Sequence, residues 1–193
     1  MNGKGVCTVN LLEWFKTGMT AQEYVESMKV NQETFVSIYH AFHLSQEAEK
    51  VTQAITGKGL KAIVLTADWC GDAMVNIPIL LKLANNSFME CRFLIRDENL
   101  ELMDRYLTNG TARSIPIVIF INEKGEEVAK WGPRAETVEE IVSKYKAELP
   151  EKNSPQYEHA FKETFIPKMH QLFKQETTWT TIENDFVKVF RQL

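Results

Sequence analysis

Apolar residues recur at helical spacing through the first 59 residues of the chain, which predicts a series of four short helices. Capping residues mark where these helices begin, at Asn10, Thr20, Asn31 and Ser45. A glutamate follows three residues after each of the first two, as in a capping box. Gly18 and Gly57 are placed to end the first and the last of the four. Nothing in this stretch resembles a strand.

The pattern changes after residue 60. Residues 62–65 form a continuous apolar run rich in branched side chains, which is typical of a strand buried on both faces. Similar runs at residues 91–95 and 116–121 predict two more strands, and an Asn-Glu-Lys-Gly turn predicts that residues 126–131 return antiparallel. Helical patterns lie between and after the strands, at residues 74–84, 102–110 and 138–145. The order β-α-β-α-β-β-α predicts an α/β fold.

The remainder of the chain returns to a helical pattern. Ser154 and Pro155 predict a helix start, and Pro167 is expected to kink that helix. Thr180, followed by Glu183, predicts the start of a last helix.

These patterns divide the chain into three parts of one compact unit. We expect an N-terminal helical extension at residues 1–59, a core at residues 60–149 and a C-terminal helical extension at residues 150–193. A length of 193 residues fits one domain with additions. No internal repeat is visible.

Composition and charge exclude several classes of protein. Hydrophobic residues make up 44% and charged residues 25%, as in ordinary globular proteins. The net charge of −4 argues against nucleic-acid binding, and no apolar run approaches the ~20 residues of a membrane span. Three cysteines are too few for a disulfide scaffold, and their odd number leaves at least one thiol free. Residues 1–20 show no signal peptide, so we expect a reducing cytoplasm.

Cys70 is the residue most suited to chemistry, because it follows the first buried strand and opens a helix. Free backbone N–H groups and the helix dipole at such a position favour the thiolate, which is the attacking form. Trp69 would supply apolar surface for a substrate. Asp68 and Asp72 oppose this effect, since negative charge favours the neutral thiol. The sequence leaves open which influence prevails, and a buried inert cysteine is the alternative.

Residues 61–148 resemble a thioredoxin fold. Trp69, Cys70 and Gly71 match the start of that family's Trp-Cys-Gly-Pro-Cys motif, and Pro78 stands where thioredoxins kink the active-site helix. The resemblance implies a central mixed four-stranded sheet flanked by helices. It also implies a thiol–disulfide oxidoreductase in which Cys70 is the nucleophile, with Gly71 and Asp72 shaping its turn.

Two loops farther along extend the resemblance. Ile115 and Pro116 match the cis-proline loop that faces the family's active-site cysteine, and Gly132 matches a glycine of its substrate groove. The chain is similar to a bacterial branch of thioredoxin-like proteins whose function is poorly defined. This narrower likeness rests on four short segments, at residues 68–72, 96–99, 114–116 and 131–134.

Two departures from the thioredoxin pattern agree with each other. Ala73 stands where a dithiol enzyme has the second cysteine, which resolves the mixed disulfide formed by the first. Val64 stands where thioredoxins commonly bury an aspartate that helps to deprotonate that second cysteine. Without the resolving thiol, Cys70 needs an external thiol to complete a cycle.

The other two cysteines are poor substitutes for a resolving thiol. Cys91 lies near the start of the second strand and Cys70 beyond the end of the first, so a parallel pair would separate them by roughly 20 Å. We interpret Cys91 as a core residue and Cys7 as a surface thiol without a function.

Three further residues are candidates for substrate contact. Arg113 lies just before the cis-proline loop, and Arg134 lies just after residues 131–133. Both loops are expected to meet near Cys70, where either arginine could hold a carboxylate of a substrate or thiol cofactor. A guanidinium there would also lower the pKa of Cys70. A structural salt bridge is the alternative for each. Trp131 either lines the groove or packs in the core. The four histidines lack partners at metal-site spacing, so no metal is expected.

Two hypotheses follow. The first is a single-cysteine thiol–disulfide oxidoreductase without a tightly bound cofactor, with a low-molecular-weight thiol as a possible co-substrate. Its substrate would be a protein or a small thiol or disulfide. We expect it to bind neither nucleic acid nor membrane. The second is a catalytically degenerate module that keeps the groove to bind a protein or peptide. A peroxidatic cysteine is disfavoured because Ala67 interrupts the Thr-x-x-Cys arrangement. The oligomeric state is left open.

Overall fold

Four strands form the central sheet of the computed structural model, which describes residues 10–193. They are β1 (Lys61–Thr66), β2 (Glu90–Ile95), β3 (Ile117–Ile121) and β4 (Glu127–Trp131). Their order across the sheet is β2-β1-β3-β4. β1 and β2 run parallel, whereas β3 runs antiparallel to both of its neighbours. The predicted strands and the mixed α/β sheet are confirmed.

Three helices belong to the core: α5 (Gly71–Asn86), α6 (Leu100–Met103) and α7 (Glu136–Ala147). α5 is apolar on almost all sides and is buried along most of its length, as expected of a helix between packed layers. A short 3₁₀ turn, Arg96–Glu98, precedes α6.

The helix predicted at residues 102–110 is much shorter than expected. It ends at Met103 because residues 108–112 fold into a tight turn, in which Thr108 donates its N–H to the Ala112 carbonyl at 2.8 Å. Asn109 and Gly110, at the centre of that turn, have φ of 53° and 71°. An Asn-Gly pair is suited to this left-handed backbone, and it overrides the helical pattern.

The N-terminal extension contains α1 (Leu11–Thr17), α2 (Ala21–Ser27), α3 (Gln32–Ala41) and α4 (Gln46–Ala54). Thr20 and Glu23 form a complete capping box, and Ser45 caps α4 through the Ala48 N–H, as predicted. Asn10 caps α1 through the Leu12 N–H. Asn31 stands at the N-cap position of α3 as predicted, but its side chain makes no capping bond and donates to the Asp68 carbonyl instead.

The C-terminal extension contains α8 (Tyr157–Ala160), a π-helical segment (Phe161–Phe165), α9 (Ile166–Phe173) and α10 (Glu176–Phe190). The first helix begins at Tyr157, after the turn that holds Ser154 and Pro155. Pro167 lies in the first turn of α9, directly after the π-helical segment, so the hydrogen-bonding pattern of the helix changes beside this proline. The predicted start at Thr180 is wrong, since α10 begins at Glu176 and the Thr180 hydroxyl donates to the Glu176 carbonyl.

One helix of each extension, α2 and α10, packs on the same face of the sheet. Tyr24 of α2 stacks on Phe93 of β2, with 4.8 Å between ring centroids. From α10, Phe190 meets Phe120 of β3 at 5.3 Å, and Phe186 meets Trp131 of β4 at 4.0 Å. The strand register places these three sheet residues on one side. α10 also contacts α4, α5 and α7.

Candidate functional site

Cys70 lies at the junction of β1 and α5, where it is the N-cap residue of the helix. Its Sγ accepts the Ala73 N–H at 3.5 Å, and its thiol donates to the Ile115 carbonyl at 3.3 Å. The side chain is 93% shielded from solvent, since only 7% of the residue is exposed. The structure therefore brings Cys70 and the loop before β3 together, as the sequence indicated.

The loop beside Cys70 contains a cis peptide bond between Ile115 and Pro116. Gly132, at the end of β4, has φ of 117°, and a Cβ on it would lie 2.2 Å from the Pro116 carbonyl oxygen. Only glycine fits such a close approach. Ile115, Pro116 and Gly132 thus form one wall beside the thiol.

A buried ion pair lies directly behind the cysteine. Arg134 donates two parallel hydrogen bonds to the carboxylate of Asp72, at 2.5 and 2.6 Å, and a third to Glu139. The side chains of Arg134 and Asp72 are only 15% and 12% exposed. Arg134 is therefore already neutralised by carboxylates of its own chain, which matches the salt-bridge alternative for this residue.

The pKa of Cys70 is raised to about 11, first by burial and then by the negative charge of Asp72. The N–H groups of Ala73 and Asp72 and the charge of Arg134 oppose this increase. Burial and Asp72 prevail, so Cys70 is a neutral thiol at pH 7.

Comparison with known proteins decides the family. A family model described as thioredoxin matches residues 18–147. The chain belongs to the thioredoxin family. The matched stretch contains the whole sheet, Cys70 and part of the N-terminal extension, and it confirms the thioredoxin-like fold.

Two solved structures resemble this thioredoxin-family protein over more than nine-tenths of its length. A protein of unknown function from Pseudomonas aeruginosa is 14% identical, with a TM-score of 0.64 over 94% of this chain and 99% of its own. An HIV epitope scaffold is also 14% identical, with a TM-score of 0.59 over 91% and 99%. A Fasciola hepatica thioredoxin is 26% identical over 50% of this chain and 88% of its own, with a TM-score of 0.33. No curated protein matches. The first two likenesses show that the fold includes the helical extensions.

Trp69 and Arg96 form the exposed rim of the site. Trp69 is 51% exposed, and the Arg96 guanidinium lies 4.7 Å from the centre of its ring. Arg96 also donates to the Arg113 carbonyl at 3.2 Å. The indole therefore presents a fixed apolar surface beside Cys70.

Arg113 and Trp131, the other two candidates for substrate contact, each bond to a carboxylate of the protein itself. The Arg113 side chain is half-exposed and pairs with Asp104 at 2.6 and 2.9 Å. Trp131 is buried against Phe186, and its Nε1 donates to Asp185 at 2.9 Å. The geometry matches a structural salt bridge for Arg113 and core packing for Trp131, because the polar group of each side chain already has a partner in the protein.

Several contacts around the site come from the extensions and have no signal in the sequence. The Asp68 carboxylate accepts the N–H groups of Lys29 and Val30, at 2.8 and 3.3 Å. Phe173 of α9 lies 3.5 Å from where a Cβ on Gly71 would stand. Both extensions therefore contact residues that lie within two positions of Cys70.

Cys91 lies at the opposite end of the sheet from Cys70, beside Ala62 at the start of β1. It is buried and unpaired, and burial raises its pKa to about 12, as befits a core residue. Cys7 lies outside the described residues. Within residues 10–193, no cluster of three His, Cys, Asp or Glu side chains is arranged to hold a metal ion. In that same part of the chain, no helix combines the length and apolarity needed to cross a bilayer.

Proposed function

We propose that the protein is a thioredoxin-like thiol–disulfide oxidoreductase that acts through the single cysteine Cys70, with an external thiol completing the cycle. The observation that carries this proposal is the position of Sγ at the first turn of α5, between the Ala73 N–H and the Ile115 carbonyl. A helix N-terminus stabilises a thiolate. The backbone beside Pro116 offers an edge along which an extended substrate can pair.

The chemistry consists of two thiol–disulfide exchanges. The Cys70 thiolate attacks one sulfur of a substrate disulfide, a new S–S bond forms, and the other sulfur leaves as a thiolate that takes up a proton. The external thiol, as its thiolate, then attacks the substrate sulfur of the mixed disulfide and displaces Cys70. One half of the substrate is released as a thiol and the other as a mixed disulfide with the external thiol, and Cys70 regains its proton. A second external thiol reduces this mixed disulfide by a further exchange, so that two external thiols are oxidised to one disulfide.

This cycle matches the residues around Cys70. Ala73 supplies an N–H but no second thiol, so resolution within the molecule has no partner among the described residues near Sγ. No tightly bound cofactor is required, and a reducing cytoplasm would supply the external thiol. The exposed face of Trp69 offers apolar contact to a protein or small disulfide substrate.

The pKa of Cys70 sets the pH dependence of the first step. With a pKa of about 11, about one thiol in ten thousand is ionised at pH 7. The rate of exchange at Cys70 should therefore rise about tenfold per pH unit between pH 7 and 10.

Peptide mapping by mass spectrometry after incubation with a small disulfide tests the proposal. We expect a mixed disulfide on the Cys70 peptide, more of it at pH 9 than at pH 7, and its removal by added thiol. Cys70→Ser should abolish the associated reductase activity. An unmodified Cys70 at pH 9, or equal activity in Cys70→Ser, would contradict the proposal.

A non-catalytic binding module is the second candidate, and the burial of Cys70 favours it. The thiol is 7% exposed and hydrogen-bonded to Ile115, which suits a packing residue as well as a nucleophile. Under this candidate the groove around Pro116 and Trp69 holds a peptide without covalent chemistry, and binding survives Cys70→Ser.

Restoring the missing thiol distinguishes the two candidates. In Ala73→Cys, a competent Cys70 should gain a partner three residues away and reduce disulfides at least tenfold faster at low external thiol. Ala73→Ser is the matched control, because it adds a polar atom of similar size but no thiol of comparable reactivity. If the unaltered protein, Ala73→Cys and Ala73→Ser all reduce disulfides at pH 9 no faster than the external thiol does alone, the binding module is supported.

A further inference from the structure

Phe88 is exposed to solvent in a backbone conformation that disfavours it. The residue stands just after α5, in the position that glycine usually holds, where its φ is 54°. Glycine or asparagine would adopt this left-handed conformation at less cost. The side chain gains little in return, because 86% of the residue is exposed. Packing within residues 10–193 therefore does not account for an aromatic side chain at this position.

A cleft of about 410 Å³ lies beside the ring, and Phe88 forms one of its sides. Leu60 and Met89 add apolar surface to it, and the turn between β3 and β4 borders it. The cleft is at the start of β1, whereas Cys70 follows the end of that strand, so the two lie at opposite ends of the sheet. A protruding ring and a cleft large enough for such a ring therefore occupy one continuous patch.

The same patch contains charges of both signs. Glu123 is exposed, and neither Glu123 nor Lys61 forms an ion pair within residues 10–193. The Lys61 ammonium lies 5.7 Å from the centre of the Phe15 ring, which leaves it free to meet a carboxylate. Glu90, by contrast, is already paired with Arg92 at 2.5 Å. The border of the cleft thus has one available cation and one available anion.

We propose that this patch is the interface of a weak homodimer, in which a two-fold axis passes through the patch. Two-fold symmetry makes a surface its own partner, so each Phe88 ring inserts into the cleft of the other copy. There it covers Leu60 and Met89, and the burial of the ring offsets its unfavourable backbone. The same symmetry places Lys61 opposite the partner's Glu123, so that unlike charges meet at both contacts.

The dimer is expected to be weak because its contact is small. One ring and one cleft from each copy bury less than the about 1,200 Å² at which standard interfaces begin, and we expect a Kd of about 100 µM. Cys70 lies at the other end of the sheet, so both thiols stay accessible in the dimer. The inference is therefore independent of the proposed function.

Sedimentation equilibrium between about 5 µM and about 1 mM protein measures the association, and the unaltered protein should change from monomer to mostly dimer over this range. Phe88→Ser should raise the Kd at least tenfold. Val30→Ser is the matched control, because it removes a 50% exposed apolar side chain at the Cys70 end, and it should associate normally. A monomer at the highest concentration, or equal Kd values in Phe88→Ser and Val30→Ser, would overturn the proposal.

A second glycine variant separates loss of the interface from loss of the fold. Phe88→Gly should associate as poorly as Phe88→Ser. At about 5 µM, where the unaltered protein is monomeric, it should nevertheless resist urea at least as well as the unaltered protein does. A Phe88→Gly protein that still dimerises would overturn the role of the ring.

Charge reversal tests the two-fold arrangement. Lys61→Glu and Glu123→Lys each place like charges together in their own homodimers, so each should raise the Kd about tenfold. An equimolar mixture of the two variants restores unlike charges at both contacts and should associate as the unaltered protein does. Glu33→Lys changes the net charge equally, away from the cleft, and should leave the Kd unchanged. A mixture that associates no better than its components would contradict this arrangement.

Discussion

The thiol of Cys70 donates a hydrogen bond to the Ile115 carbonyl, which only the protonated sulfur can do. The Ala73 N–H favours the opposite form, since it points at the sulfur as an anion would require. At the scale of one residue, burial and the charge of Asp72 decide between the two forms, and they favour the neutral thiol. Position at a helix N-terminus is therefore not sufficient to make this thiol acidic.

Asp72→Asn should lower the pKa of Cys70 below about 11, because it removes the negative charge and leaves the positive charge of Arg134. The rate of iodoacetamide alkylation at pH 8, followed on the Cys70 peptide, should rise several-fold. Asp104→Asn removes a carboxylate that also pairs with an arginine, but away from the thiol, and should have no effect. An unchanged or higher pKa in Asp72→Asn would contradict this electrostatic explanation.

At the scale of elements, the residue that begins α5 adopts an ordinary backbone conformation, whereas a residue just past its end has a positive φ. Cys70 caps the start. At the other end, Met89 donates its N–H to the Ala84 carbonyl and Phe88 donates to Asn85, which is the Schellman pattern. Phe88 has φ of 54° in the position that normally holds glycine, and its ring is 86% exposed. The helix therefore ends with the hydrogen bonds of a Schellman motif, although phenylalanine is disfavoured at a left-handed position.

Phe88→Gly should raise the free energy of unfolding by about 1 kcal/mol, since it relieves a left-handed backbone and removes almost no packing. Urea denaturation monitored by circular dichroism measures this change. Asn109→Gly is the control at a similar φ of 53°; its effect should be smaller because asparagine tolerates this region. A loss of stability in Phe88→Gly would show that the exposed ring has a packing partner.

The capping residues show how far sequence patterns determine the elements. Thr20 and Ser45 begin helices as predicted, because a cap bonds to an N–H only a few residues away. Asn31 and Thr180 are also residue types that cap helices, but the side chain of neither one bonds to a free N–H at a helix start. A distant backbone group, the Asp68 carbonyl, occupies the side chain of Asn31. Local spacing contains no information about such a partner.

At the scale of the whole molecule, Glu183 links the two extensions. It is 2% exposed in α10 and accepts the Ser45 N–H at 2.8 Å, across 138 residues of chain. Its carboxylate therefore lies at the N-terminus of α4, where negative charge is favourable. This contact helps to hold α10 on the sheet face that it shares with α2.

Glu183→Ala should cost about 1–3 kcal/mol of stability, because it leaves the Ser45 N–H without its acceptor and opens a cavity. Glu183→Gln keeps an acceptor oxygen and should cost less. Asn184→Ala, on the exposed side of the same helix, should change stability by less than about 0.5 kcal/mol. Equal losses in all three variants, measured by urea denaturation, would contradict a specific link.

The whole molecule should also lose stability in alkali. The pKa values of Cys70 and Cys91 are raised from 9.0 to about 11 and about 12 in the folded state. Their neutral forms stabilise the fold fully below pH 9, and this contribution is lost as the pH rises through the folded values. The Tm should fall between pH 9 and 11, and the fall should be smaller in Cys70→Ser. A parallel fall in both proteins would assign the loss to other groups.

The sequence by itself determined the strands, their alternation with helices, and Cys70 as a helix cap without a partner at Ala73. These features depend on neighbours within a few residues, so a pattern along the chain contains them. Only the tertiary structure decided the burial of Cys70, the pairing of Arg134 with Asp72 and the link from Glu183 to Ser45. Each depends on groups that are distant in the chain and meet only when the sheet and both extensions pack. The pKa of the central thiol belongs to this second class, because burial by distant elements sets it.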